Sequence, residues 1–303
     1  MKNKAETRYN PFNGHGIIFA PKRQKRPNDI KNVTKILSCP FCPKEIKNKD
    51  ILQAWPNKNS WQVIAKKNIF PALSKNNQSA YGYQEIIVDS RRHCEDFADL
   101  SLKQISLVLK MFQKRSNKLT KDKKINYILC FKNQGRAAGA SLRHIHSQIF
   151  ASAILPPDII EEGVKTALYQ KQHKNCPYCQ LNKKEEGGVR QIYQDKHILI
   201  LSPFASEFPY EAWIISRRHL DNICLLNEKE INSVARALKF IATKLKELDY
   251  DFNFFAHNDL KNPYQHFYLK VQPRPNIWAG VELGSGLIIN QTLPEDATKY
   301  YKK

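Results

Sequence analysis

Apolar and polar positions alternate along His144-Ile-His146-Ser-Gln148-Ile-Phe150, which predicts a strand with Ile145 and Ile149 on a buried face. Residues two apart on a strand share a side at a separation of about 7 Å. His144, His146 and Gln148 therefore share the other face. Elsewhere the apolar positions step by three and four, at Leu102, Ile105, Leu109 and Phe112 and again at Ile231, Val234, Leu238, Ile241 and Leu245, and these predict two amphipathic helices. Each helix follows a strand-like run ending in the same four residues, Ser90-Arg-Arg-His93 and Ser216-Arg-Arg-His219. A further strand follows each helix, Asn126-Tyr-Ile-Leu-Cys-Phe131 and Asp251-Phe-Asn-Phe-Phe255, and each leads to a histidine-bearing strand, at His144 and His266.

The repetition extends upstream, because Cys39-Pro-Phe-Cys42 and Cys176-Pro-Tyr-Cys179 stand before the two strand-helix units. From Cys42 to His93 is 51 residues and from His93 to His144 another 51; the second set is spaced 40 and 47. Type, order and spacing recur together, so the chain reads as an internal duplication. The expected fold class is α+β, with two pseudo-repeated halves, each an antiparallel sheet with flanking helices. The expected division is 1–169 and 170–303, with a short helix near Ile160 to Tyr169 and a polar joint from Gln170 to Asn175.

Composition narrows the setting. With 303 residues, 42% hydrophobic and 25% charged, the chain is an ordinary globular one, large enough for one core or two. Neither an apolar leader nor a run of 18 apolar residues occurs, so no membrane association and a cytoplasmic location are expected. The excess of 21 positive charges favours anionic partners, yet the lysines are scattered and form no stripe with interleaved aromatics, which disfavours nucleic acid. Seven cysteines, four of them in two Cys-x-x-Cys pairs, point to metal binding or redox use instead of a disulfide framework.

Two thiolates from one turn and two imidazoles from elsewhere make the tetrahedral nitrogen and sulfur set that zinc takes in closed sites. The candidate metal ligands are Cys39, Cys42, His93 and His144 in the first half and Cys176, Cys179, His219 and His266 in the second, giving two Zn2+ per chain. If His144 is a ligand, His146 remains for other work on the same face. The second half reads His266-Phe-Tyr268-Leu-Lys270: it keeps the ligand position and replaces His146 by tyrosine and Gln148 by lysine. Chemistry is expected in the first half alone. The loop Asn133-Gln-Gly135-Arg-Ala-Ala-Gly139-Ala-Ser141 precedes this strand, and its backbone N–H groups are expected to approach an anion.

These residues, with Asn68-Ile-Phe-Pro-Ala-Leu73, Pro21-Lys-Arg23-Gln-Lys-Arg26-Pro27 and Gly280-Val-Glu282-Leu-Gly-Ser-Gly286, resemble the galactose-1-phosphate uridylyltransferase-like branch of the histidine triad superfamily. The resemblance covers most of the chain and lies near the ADP-glucose phosphorylase-type relatives. It implies that His146 is the nucleophile, forming a nucleotidyl-histidine from a nucleotide sugar, and that Gln148 hydrogen-bonds the phosphoryl oxygens. It implies nucleotide and phosphate contacts from Asn68, Asn133, Gly139 and Ser141, an outer-phosphate clamp from Arg23 and Arg26, a sugar contact from Glu282, and a homodimer. The implied activity is transfer of UMP or AMP between a nucleotide sugar and a sugar 1-phosphate, as in galactose metabolism.

One departure concerns the sugar: the family's galactose-handling members place glutamine six residues beyond the glutamate, where this chain has Ile288. The alternatives are an ADP-sugar phosphorylase with inorganic phosphate as acceptor, and a non-catalytic nucleotide- or polyanion-binding protein.

Overall fold

The computed structural model describes residues 5–9, 16–19, 39–93 and 96–303. A small hairpin pairs β1 (Glu6–Tyr9) with β2 (Gly16–Phe19). The first half then supplies β3 (Ile51–Trp55), β4 (Val63–Lys67), β5 (Gly82–Val88), α1 (Leu102–Leu119), β6 (Tyr127–Gln134) and β7 (His146–Ser152). After α2 (Pro157–His173) and α3 (Pro177–Glu185), the second half supplies β8 (Gln191–Gln194), β9 (Ile198–Leu201), β10 (Ala212–Ser216), α4 (Glu228–Glu247), β11 (Phe252–Asp259) and β12 (Tyr268–Pro273). Two short helices close the chain, α5 (Gly280–Ser285) and α6 (Pro294–Tyr301).

Among the described residues β3 to β12 form one antiparallel ten-stranded sheet in the order β3-β4-β5-β7-β6-β11-β12-β10-β9-β8. Read inward from either end, the order is the same, with β8 in the place of β3 and β11 in the place of β6. The two series meet where β6 pairs with β11, and Phe131 lies opposite Phe255, its own counterpart. A pseudo-twofold axis passes through that pair. The α+β expectation is met, and a single core cluster draws on both halves: Ile105, Val108 and Phe112 of α1 pack in it with Val234, Leu238 and Ile241 of α4.

Both long helices start where capping chemistry places them. Ser101 accepts from the Gln104 N–H before α1, and Asn227 and Glu230 exchange the reciprocal bonds of a capping box before α4. The helix expected over Ile160 to Tyr169 is longer, from Pro157 to His173. Proline at its first position needs no N–H partner, and Lys174 ends it with φ 55° in the left-handed region. Residues 170–173 of the expected joint are therefore helical, and the 169/170 division falls inside α2. No helix among the described residues is long and apolar enough to cross a membrane.

Candidate active site

The four-residue repeat Ser-Arg-Arg-His serves both metal clusters. Cys39, Cys42, His93 and His144 converge in the first half and Cys176, Cys179, His219 and His266 in the second, each set with its ligand atoms within 4.8 Å of one another. Nε2 of His144 lies 2.8 Å from the Ser90 carbonyl, and Nε2 of His266 lies 2.9 Å from the Ser216 carbonyl. A carbonyl only accepts, so each Nε2 carries the proton and each Nδ1 turns a lone pair toward the cysteines. The first residue of the repeat orients one imidazole; the fourth supplies another.

The dimensions fit zinc. Bonds of about 2.0–2.1 Å to nitrogen and about 2.3 Å to sulfur give tetrahedron edges of about 3.3 Å between nitrogens and about 3.5 Å between nitrogen and sulfur. Nδ1 of His266 lies 3.3 Å from Nδ1 of His219, and Cys179 Sγ lies 3.6 and 3.7 Å from the two rings. In the first cluster Cys42 Sγ lies 3.5 Å from His93 and 3.6 Å from His144. Burial pushes the Cys39 thiol up to about 12 and the Cys179 thiol up to about 11, so the thiolates need a cation beside them. Burial holds His266 down at about 4, in the neutral form that ligates.

On the adjoining strand β7, His146 and Gln148 share a face at 7 and 8% exposure, while Ser147, Ile149 and, just before the strand, Ile145 are at most 3% exposed. Nδ1 of His146 lies 2.9 Å from the carbonyl of His144, which fixes the proton on that nitrogen and leaves Nε2 with a lone pair. The ring of Phe41, carried between the two cysteines of the first cluster, packs against His146 at 4.9 Å between centroids. The metal knuckle thus braces the ring beside it. Gln148 is oriented by a relay: the Ala72 N–H donates to Gln84 Oε1 at 2.9 Å, and Gln84 Nε2 donates to Gln148 Oε1 at 3.2 Å. The amide nitrogen of Gln148 is then its remaining polar end.

Two hollows meet at His146. One, of about 360 Å³, is lined by Lys132, Asn133, Arg136, Arg143, His144 and His146 among others. The other is narrower, about 40 Å³, with Phe41, Asn68, Phe70, Ser141, His146 and Gln148 in its walls. Arg136 and Arg143 stand in the first, with Asp96, and the phenyl rings of Phe41 and Phe70 in the second, with Lys66 and Lys67, so cations border both hollows and the phenyl rings offer a flat apolar wall in the second.

The loop between β6 and β7 departs from expectation. The Gly139 N–H donates to the Arg136 carbonyl, the Ala140 N–H to the Gly135 carbonyl and the Ala137 N–H to Asp251 Oδ2. These amides are engaged within the protein, so the loop contributes the side chains of Asn133, Arg136 and Ser141 to the hollows. Gly139 lines neither; its φ of +81° lets the loop turn. Asn133 Oδ1 accepts from Asn253 of the second half at 2.9 Å, and Asn68 Oδ1 accepts from the Phe70 N–H at 2.9 Å, so both amides are oriented. Glu282 is half-buried, accepts from the Ala279 N–H at the start of α5 and lines neither hollow. Arg23 and Arg26 lie outside the described residues.

Sequence reasoning missed Phe41 as a wall, Gln84 as the orienting partner of Gln148, and a buried pair, Asp89 and Lys132, behind the strand. Phe41 lies within the Cys39-Pro-Phe-Cys42 element, where an aromatic ring recurs as Tyr178, and Gln84 carries no motif. The pair left a signal: Tyr83 to His93 has one residue more than Tyr210 to His219.

Comparison with known proteins agrees with this geometry. Residues 1–156 match the family described as galactose-1-phosphate uridyl transferase, N-terminal domain. The chain is 29% identical to the ADP-glucose phosphorylase of Arabidopsis thaliana, covering 98% of this chain and 92% of that protein. It is 28% identical to the galactose-1-phosphate uridylyltransferase of Thermotoga maritima, covering 98% of each. Among solved structures, the Arabidopsis thaliana ADP-glucose phosphorylase with bound ADP-glucose superposes with a TM-score of 0.80 over 99% of both chains, at 29% identity. A uridylyltransferase superposes at 0.85 over 98% of this chain and 97% of its own, at 28% identity. This chain is an enzyme of the nucleotidyl-transferring kind and belongs to the galactose-1-phosphate uridyl transferase family.

Proposed function

We propose that the protein moves a nucleoside monophosphate between a nucleotide sugar and a sugar 1-phosphate by way of a covalent nucleotidyl-His146 intermediate. The observation that carries this is the bond from His146 Nδ1 to the His144 carbonyl, which leaves Nε2 as a nucleophile at the junction of the two hollows. Nε2 attacks the α-phosphorus, the bond from phosphorus to the bridging oxygen breaks, and its electron pair leaves with the sugar 1-phosphate. The phosphate oxygen of the second acceptor then attacks the same phosphorus and expels neutral imidazole. Gln148 donates its amide N–H to the oxygens where charge builds, and Ser141 and Asn133 hold the phosphoryl group. Asn68 contacts the nucleoside, Gly139 shapes the phosphate loop by its turn, Arg23 and Arg26 clamp the outer phosphate, and Glu282 reads the sugar.

Both Cys2His2 clusters take zinc in this reading, two ions per chain. The ion holds its ligands in place and neutralises paired thiolates. Residues 1–169 form the catalytic half and 170–303 the supporting half. A homodimer in the cytoplasm, where the cysteine pairs stay reduced, completes the proposal.

A second reading has inorganic phosphate as acceptor, as in an ADP-sugar phosphorylase. It is favoured by the identity to the plant phosphorylase, which matches that to the bacterial transferase. The experiment uses UDP-glucose and ADP-glucose labelled in the α-phosphate. The protein should capture acid-labile label and the His146→Ala variant should not; labelling of that variant overturns the assignment. Release of the label by galactose 1-phosphate or by inorganic phosphate identifies the acceptor. Polyanion binding that weakens steeply with salt and ignores His146, without any capture of label, identifies the non-catalytic alternative.

A further inference from the structure

Behind the site face of β7 lie three polar side chains that the proposed chemistry does not touch. Lys132 Nζ lies 3.0 Å from Asp89 Oδ2, and Ser147 Oγ donates to the same oxygen at 2.9 Å. Lys132 also donates to the main-chain carbonyl of His146 at 3.0 Å. All three are at most 1% exposed, and the other oxygen of Asp89 is buried without a hydrogen-bond partner. An ion pair so placed is a poor way to gain stability, because removal of both charges from water offsets most of their attraction.

The ladder geometry explains what the ammonium holds. The Asp89 N–H donates to the Ile145 carbonyl, so by the alternation of an antiparallel pair the His146 carbonyl turns the other way, toward β6. Pairing between β6 and β7 ends at Lys132 and Ser147, and Asn133 continues only against β11, because the phosphate hollow opens at that point. Lys132 reaches across the opening to His146. Its partner Asp89 is joined directly to Ser90, whose carbonyl orients the metal-ligating His144.

The duplication supplies an internal control. Lys132 pairs with Ser147 where the second half pairs Ala256 with Leu269. Asp89 has no counterpart: Val88 lies opposite His146 and Ile215 opposite Tyr268, yet Ser90 comes two residues after Val88 while Ser216 follows Ile215 at once. The half that keeps its metal cluster and lacks the nucleophile also lacks the entire buried chain. Metal binding alone does not require it.

We infer that Lys132, Asp89 and Ser147 are positioning residues that fix the peptide of His146 for attack. The inference rests on His146 as nucleophile, so the wild-type and His146→Ala labelling are compared first; labelling of His146→Ala overturns that reading and this inference with it, whereas the variants below test the inference alone. The test is the variant Lys132→Met with Asp89→Leu and Ser147→Ala, which removes all the charges and leaves none orphaned. It should fold with an unchanged melting temperature and unchanged zinc content. Its rate constant for label capture at saturating nucleotide sugar should fall about ten- to a hundredfold, the scale of a small misplacement of reacting groups, with KM unchanged. Ser147→Ala alone should show a smaller fall of the same kind. A folded triple variant with the wild-type rate overturns the inference, as does a change confined to KM. A melting temperature lowered by ten degrees or more also overturns it, because the chain would then serve stability.

Discussion

Gln84 Nε2 donates to Gln148 Oε1 across the β5–β7 pairing at 3.2 Å, and in the proposed reaction this bond decides which end of Gln148 meets the phosphoryl group. Without it the carboxamide is free to turn its oxygen, an acceptor, toward charge that needs a donor. Gln84→Leu should therefore lower turnover about tenfold with little change in stability. Gln148→Ala should cost more, about a hundredfold or above, as losing a donor to a developing oxyanion does. Steady-state kinetics of the two variants check the order.

The two metal clusters should separate in their consequences. Cys39→Ser should remove one equivalent of zinc and nearly all label capture, because the Cys39–Cys42 turn carries Phe41 against His146. Cys176→Ser should remove the other equivalent, lower the melting temperature and leave most of the label capture in the folded fraction. Elemental analysis with thermal unfolding checks both.

Gly135 stands at φ +83°, and a Cβ there would come within 1.5 Å of Asp251 Oδ1. Asp251 is the residue that holds the Ala137 N–H at 2.7 Å and so ties the phosphate loop to the second half. Gly135→Ala should raise KM for the nucleotide sugar at least tenfold and leave both metals bound.

A bidentate pair joins α1 to β5, with Arg115 donating to Glu85 at 2.6 and 2.7 Å and both side chains at most 5% exposed. Removing one partner strands a buried charge, so Arg115→Met should cost about 3–5 kcal/mol in urea unfolding. Glu85→Leu added to Arg115→Met should recover much of that loss.

Burial first, and then the charge of Lys270, lowers His257 from 6.5 to about 3; its Nδ1 shares a hydrogen bond with the Tyr127 hydroxyl. The unfolded chain takes up a proton near pH 6.5 that the folded one refuses, so this residue's contribution is full above that pH. It is lost progressively as pH falls from about 6.5 toward about 3. Stability measured by urea at pH 7, 6, 5 and 4 should fall less steeply in His257→Gln than in the wild type at equal metal load.

The sequence carried the framework because its signals were periodic or chemically specific. Alternation placed His144, His146 and Gln148 on one face, the three-and-four steps gave α1 and α4, and two ordered Cys/His sets foretold two clusters. What stayed hidden depends on register and on partners distant in the chain. Gln84 reaches Gln148 across 64 residues, and nothing local marks it. In the Gly135–Gly139 turn the Ala137 amide is taken by Asp251, more than a hundred residues on, and nothing local in the sequence marks that partner. Helix α2 ran past its expected end because polar residues 170–173 extend it without adding apolar periodicity.

The pairing of β6 with β11 has a consequence for how this chain can be cut. Either half alone would present an eight-residue strand as an open edge, a row of unmet N–H and C=O groups inviting any other strand to add on. The second half is therefore the seal on the first. Its residues at the places of His146, Gln148 and Lys132 are Tyr268, Lys270 and Ala256, while β11 matches β6 in length and register. That half also holds the site loop through Asp251 and Asn253, and a fragment cut before β11 should precipitate rather than work.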